Sequence, residues 1–92
     1  MQFFRVEWIH QYPDEPVDIY FEVDDEGWET RKVEFFPDGS LGYADGIHHQ
    51  GNTGLAEVKM CSLEEIAAQP EFKPQLISKE QFEDIWRRST GL

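Results

Sequence analysis

The chain reads as an α+β domain: an antiparallel meander of four to five strands with two C-terminal helices packed on one face. Three observations predict it. Apolar and polar residues alternate through the first half, Gly-containing turn signals stand at 25–27 and 37–39, and two Ser-led helix starts follow only after residue 61. At 92 residues, about 60% of the unfolded surface can be buried, which suits one domain spanning 1–92. With 39% apolar residues, including 7 Phe, 3 Trp and 3 Tyr, a core can be built and disorder is not expected.

From Phe3 to His10, Phe4, Val6, Trp8 and His10 share one face of a strand and Phe3, Arg5, Glu7 and Ile9 the other. Pro13 and Pro16 around Asp14 and Glu15 end it in a loop. Val17 to Asp24 alternates completely. Val17, Ile19, Phe21 and Val23 point one way, and Asp18, Tyr20, Glu22 and Asp24 point the other, onto a face expected to be wet. Asp25-Glu26-Gly27 turns the chain into a hairpin with Trp28 to Phe36, and Pro37-Asp38-Gly39 turns it again into a short strand, Ser40 to Ala44. Asp45 to Gly54, with three glycines, His48, His49 and Asn52, is the longest irregular stretch, and Leu55 to Met60 is a candidate fifth strand. Ser62-Leu63-Glu64-Glu65 and Ser78-Lys79-Glu80-Gln81 are capping-box signatures. The first opens a brief helix before Pro70, and the second a longer one whose stripe Phe82, Ile85, Trp86 runs toward Gly91.

Several roles are excluded or left without support by composition. Eight Lys and Arg against 19 Asp and Glu give a net charge of −11, the wrong sign for direct binding to nucleic-acid phosphates or anionic membranes. A lone Cys61 cannot form an internal disulfide and is expected to pack as a small hydrophobe. Neither a signal segment nor a membrane span is evident, so a cytoplasmic location is expected. His10, His48, His49 and Asp45 lack the spacing of a metal site, and Asp24-Asp25-Glu26-Gly27 lacks the alternating ligands of a calcium loop. Neither a metal nor a cofactor is predicted.

The run Val6-Glu7-Trp8-Ile9-His10 with Pro13-Asp14-Glu15-Pro16, then YFEVDDEGWETRKVEFFPDGSLGYAD, SLEEIAAQPEF and EQFEDIW, covers nearly the whole chain. With its W-x-H…E-P start and E-x-R-K-V-E-x-F-x-D-G centre, it resembles a family of small bacterial domains of unknown function, about ninety residues long. That resemblance implies a compact bacterial domain and brings no assigned activity or catalytic residue. Some small acidic domains of this kind are similar to immunity proteins encoded beside toxins.

Charge position points to a partner. Residues 1–46 carry 12 acids and 3 bases, while 47–92 carry 7 and 5, so nine of the eleven net charges lie in the first half. Between Asp14 and Glu29 there is no base. Carboxylates two residues apart on a strand stand about 6.6 Å apart, a spacing comparable with successive phosphates. The expected site is therefore an acidic face of Asp14, Glu15, Asp18, Glu22, Asp24, Asp25 and Glu26, with Tyr20 as its aromatic anchor. It suits a basic protein such as a nuclease-type toxin, with the chain itself a non-enzymatic monomer or weak dimer. Arg31 and Lys32 are expected to neutralise Glu22, Glu29 or Glu34 across the hairpin, while Trp28 and Trp86 seal the core. Two other readings remain open: a small hydrolase or ligand-binding domain using His10 with Glu15 or Glu22 in a pocket closed by the Asp45 to Gly54 loop, and a module dimerising through a free sheet edge. Against the first, the plain reading of His10 is a strand-edge residue bonded to a loop carbonyl.

Overall fold

Six antiparallel strands make one sheet in the order β5-β4-β3-β2-β1-β6 in the computed structural model, which describes residues 1–51 and 53–91. The strands are β1 (Gln2–Trp8), β2 (Asp18–Val23), β3 (Glu29–Phe35), β4 (Leu41–Ala44), β5 (His49–Gln50) and β6 (Phe72–Leu76); the helices are α1 (Leu63–Ala67) and α2 (Lys79–Thr90). The first four strands form the expected meander because each connection carries its own turn chemistry. Asp24 accepts the amides of Glu26 and Trp28, each at 2.9 Å, and Gly27 takes φ +94°, a conformation that favours glycine. At the next turn Asp38 accepts the Ser40 amide at 2.9 Å and Gly39 sits at φ +88°.

Two strands differ from expectation. The segment expected as a fifth strand, Leu55 to Met60, is irregular and runs past the β2–β3 turn, its path held by Met60 N–H donating to the Gly27 carbonyl at 2.8 Å and Ala56 N–H to Glu29 at 3.0 Å. The strands beyond the meander are instead β5, paired with β4 on one edge, and β6, paired with β1 on the other. β6 is hard to read locally because Pro74 interrupts it. Ile9 N–H donates to the Glu71 carbonyl at 2.7 Å and Ile77 N–H to Phe3 at 3.0 Å, so odd-numbered residues of β6 turn their backbone groups toward β1. Pro74 therefore faces the outer edge, where its missing N–H costs no ladder bond.

The helices lie on opposite faces, not on one. Phe4, Val6, Phe21 and Val23 form a core on one side, with Ile19, Met60, Leu63, Ile66 and Phe72 packed against it, which places α1 there. Phe3 points the other way and meets Phe82 of α2 with ring centroids 5.5 Å apart. Phe82 of α2 and Val33 of β3 are fully buried between helix and sheet. Both Ser residues cap their helices, but the reciprocal box forms at one only: Ser62 accepts the Glu65 amide at 3.2 Å while the Glu65 carboxylate turns to the Ser62 hydroxyl, and Ser78 and Gln81 make the full capping box, with Gly91 closing α2 at φ +76°. A two-faced sheet explains the helix split: strands with apolar residues at both Phe3 and Phe4 must be covered twice. Trp86 stacks on Phe82 as expected, whereas Trp28 is more than a third exposed and Cys61 is exposed.

Candidate functional site

The expected acidic face is divided by α2. The β2 row that was expected to be wet, Asp18, Tyr20 and Glu22, shares the side of the sheet with Phe3, Arg5, Arg31 and Val33, the side α2 packs on. Asp18 accepts from Arg5 Nε at 2.9 Å. Glu22 is buried at 8% exposure and accepts from Thr30 Oγ1 at 2.8 Å, Arg31 Nε at 2.9 Å and Arg31 Nη2 at 2.6 Å. The same guanidinium reaches Glu83 of α2 through Nη1 at 2.7 Å and lies over the rings of Phe82 and Trp86, 4.9 and 5.0 Å from their centroids. Hydrogen bonding from Arg31 holds the Glu22 carboxyl below its usual range against the opposing effect of burial, and in return raises Arg31 further. Tyr20 is half-buried beside Arg5, its hydroxyl pushed up by burial. Glu22 and Arg31 hold α2 to the sheet through Glu83, and Asp18 is engaged by Arg5, so this row does not form the open recognition face that alternation alone suggested.

The other expected acids lie at the two ends of β2. Asp24 spends its carboxylate on the hairpin turn, Asp25 pairs with the Met1 ammonium at 2.9 Å, and Glu26 is exposed beside them. Hydrogen bonding from Met1 lowers the Asp25 carboxyl. Asp14 and Glu15 are exposed in the β1–β2 loop, about 20 Å away along a six-residue strand.

That loop is braced by one side chain. Tyr12 N–H donates to His10 Nδ1 at 2.9 Å, which leaves the ring proton on Nε2 to donate to the Pro16 carbonyl at 2.7 Å. His10 thus spans the loop from Tyr12 to Pro16 and has no ring nitrogen free for proton transfer. Glu22 points to the opposite face, so the expected acid–base pairing with Glu22 does not assemble. The hollow beside the Asp45 to Gly54 loop, about 630 Å³, is lined by residues including Glu29, Ile47, His48 and His49, and by none of His10, Glu15 or Glu22. Asn52 of that loop lies outside the described residues. Asp45 accepts the amides of His48 at 2.6 Å and Ile47 at 2.9 Å, bonds that lower its carboxyl and shape the loop, with His48 Nδ1 3.5 Å away. Among the described residues no three His, Cys, Asp or Glu side chains gather as metal ligands would.

Two concavities flank the braced loop. The larger, about 760 Å³, is lined by Asp14, Glu15, Glu34 and Asp38 together with Pro13, Pro16, Phe36 and Leu41, and by no Lys or Arg. The smaller, about 330 Å³, is lined by Trp8, Tyr12, Pro13, Asp14 and Glu15. Glu34 accepts from Thr53 Oγ1 at 2.7 Å, and Asp38 accepts from Ser40 Oγ at 2.6 Å, which with the Ser40 amide keeps its carboxyl below the usual range. Sequence reasoning missed Glu34 and Asp38 as neighbours of Asp14. The β2–β3 register, Asp18 opposite Phe35, sets the 36–40 turn beside the β1–β2 loop, and Val17 N–H donating to the Phe35 carbonyl at 2.8 Å fastens them.

Neither sheet edge invites a second copy. β5 is two residues long. On the outer edge of β6, Pro74 has no N–H and Phe72 N–H is taken by the Gln69 carbonyl at 3.0 Å, leaving Leu76 as the one outward donor of the strand among the described residues.

Residues 2–91 match the model of a family described as Domain of unknown function (DUF6881). The chain belongs to this family. The match takes in both helices, all six strands and the residues around the loop, so the DUF6881 unit is the whole fold described above. No curated protein matches the chain. No solved structure matches it either. No helix among the described residues is long and apolar enough to cross a membrane.

Proposed function

We infer that this DUF6881 domain is an acidic protein-binding module, acting in the cytoplasm, that captures and neutralises a basic partner of the nuclease-toxin type. Its docking surface is the end of the sheet where Asp14, Glu15, Glu34 and Asp38 line one groove. The observation that carries this reading is how the cations are used. Arg5 is paired with Asp18, Arg31 with Glu22 and Glu83, and Lys32 with Glu29 at 2.8 Å, so every base before Lys59 is engaged at an acid outside the groove. The groove carboxylates keep their field for a partner. Asp24 and Glu26 at the far end, where Asp25 is taken by the Met1 ammonium, add to the long-range potential that steers approach, without touching the bound chain. Inhibition would follow from plugging a cleft that otherwise holds phosphates.

The test is capture on the immobilised domain at about 50 and about 500 mM salt, beside an Asp14→Lys, Asp38→Lys variant. Basic proteins are expected on the wild type at low salt, reduced at high salt and lost with the variant. Equal capture by both proteins would remove the groove from consideration. Where a toxin is encoded beside this chain, it is the most direct partner to try: its lethality should be relieved by the wild type and not by the variant.

A further inference from the structure

We propose that the smaller concavity, between Trp8, Tyr12, Pro13, Asp14 and Glu15, receives one arginine side chain of the basic partner. The inference rests on the reading above and names its anchor point. At about 330 Å³ the hollow sits at the small end of ligand pockets, a size suited to a single side chain rather than to a free metabolite. Its lining is of two kinds. Trp8 and Tyr12 supply aromatic surface, Tyr12 being 63% exposed, while Asp14 and Glu15 supply negative charge and make no hydrogen bond or ion pair among the described residues. Aromatic surface beside carboxylates favours a cation held by its flat face and bonded at its rim. A guanidinium does both: it stacks on a ring and offers a planar fork to carboxylate, whereas an ammonium is a strongly hydrated point charge.

The pocket is also held in shape. His10 is fastened to Tyr12 N–H and to the Pro16 carbonyl, its ring stacks on Tyr12 at 5.3 Å, and Trp8 meets it in an edge arrangement at 4.3 Å. Phe72 continues the row behind Trp8 at 5.7 Å. Pro13 and Pro16 fix φ on both sides of the acids. A wall built this way loses little conformational freedom when a ligand arrives, which is where most small exposed sites lose affinity. Trp8 and Tyr12 lie in the β1 strand end and the loop that also lines the larger groove, so an arginine seated here leaves its neighbouring residues over Asp14, Glu15 and Asp38.

The test follows the indole N–H resonance of Trp8, assigned by its loss in Trp8→Phe, in the full chain at about 150 mM salt. The probe is the tripeptide Gly-Arg-Gly, blocked at both ends, beside the same peptide with uncharged citrulline and one with lysine. The arginine peptide is expected to shift the resonance saturably, the lysine peptide to bind more weakly, and the citrulline peptide to leave it in place. Tyr12→Ala should weaken binding about threefold, and Asp14→Asn with Glu15→Gln about tenfold or more, with the rest of the spectrum unchanged. Citrulline or lysine binding as well as arginine, or indifference to Tyr12→Ala, overturns the assignment. If the basic partner still binds in a salt-dependent way while the Trp8 resonance stays still, the pocket fails and the docking groove stands; if neither responds, both fail.

Discussion

Arg31 is the residue on which the attachment of α2 turns, and Arg31→Ala tests it. The substitution leaves Glu22, 8% exposed, with only Thr30 to bond its carboxylate, frees Glu83, and empties the space over Phe82 and Trp86. Removing one partner of a buried ion pair costs about 3–5 kcal/mol, and the side-chain exposures of 20% for Arg31 and 30% for Glu83 place this case near the lower figure, about 3 kcal/mol. A chain of this length is expected to have about 5–14 kcal/mol in total, and each kcal/mol shifts Tm by about 4–8 °C, so a loss of about 12–24 °C is expected. Urea unfolding followed by circular dichroism measures it, with an unchanged m-value showing that the native state keeps its extent. The double variant Glu22→Leu, Arg31→Met removes both charges and fills the space; it should recover most of the loss, since an apolar pair of similar volume is a fair replacement for a buried ion pair.

pH supplies the second arm of the same experiment. Because Arg31 holds the Glu22 carboxyl below its unfolded value of about 4.3, the pair's contribution is fully present above that value and is lost as pH falls through the lowered folded value. In Arg31→Ala the carboxylate has burial acting on it without the guanidinium, so protonation relieves it. The deficit of the variant should therefore shrink between pH 7 and about pH 3.5. A variant within about 0.5 kcal/mol of wild type at pH 7, or a deficit of equal size at both pH values, would refute the electrostatic account.

Further outcomes are expected elsewhere. Gly42→Ala should cost about 1–3 kcal/mol in chemical denaturation, because a Cβ at that position overlaps Thr53 Oγ1 and presses on the Gln50 carbonyl, loosening the Thr53–Glu34 bond. Phe82→Ala, at a fully buried position, should cost about 3–5 kcal/mol and abolish cooperative thermal unfolding of α2 with the sheet. His10→Ala removes both struts of the β1–β2 loop; amide exchange of Tyr12 and Val17 should quicken while the core amides of β2 and β3 keep their protection. Unchanged exchange in the loop would show that the prolines alone hold it.

Much of the fold was legible from local chemistry. The Asp24–Gly27 and Pro37–Gly39 turns, the two Ser caps and the strict alternation of 17–24 each involve residues within a few positions of one another, and each appears where expected. Even the pairing of Arg31 with Glu22 follows from hairpin neighbours, and the bond from His10 to a loop carbonyl from its place beyond a strand end, whereas Lys32 meets Glu29 within its own strand, where the register shifts between Glu22 and Val23. β6 escaped because Pro74 argues against a strand unless its edge position is already known. Leu55 to Met60 reads as a strand, but it runs irregularly past the β2–β3 turn, with only Met60 packed against the core and Val58 68% exposed.

The sequence by itself determined that the chain is strongly acidic in its first half, that β2 carries Asp18, Tyr20 and Glu22 on one side, and that α2 has one apolar stripe. Only the tertiary structure decided which of those acids meet solvent. Alternation establishes that side chains share a face, but it is blind to what covers the face, and the stripe of α2 had no named partner until the register set Phe3, Arg31 and Val33 beneath it. Once α2 covers that face, Glu22 can remain charged only with Arg31 beside it, because a carboxylate removed from water needs an opposite charge and hydrogen bonds in its place. The acids left for a partner are then those gathered from positions 19 to 24 residues apart in the chain, Asp14 and Glu15 with Glu34 and Asp38, a neighbourhood created by strand register rather than by sequence proximity.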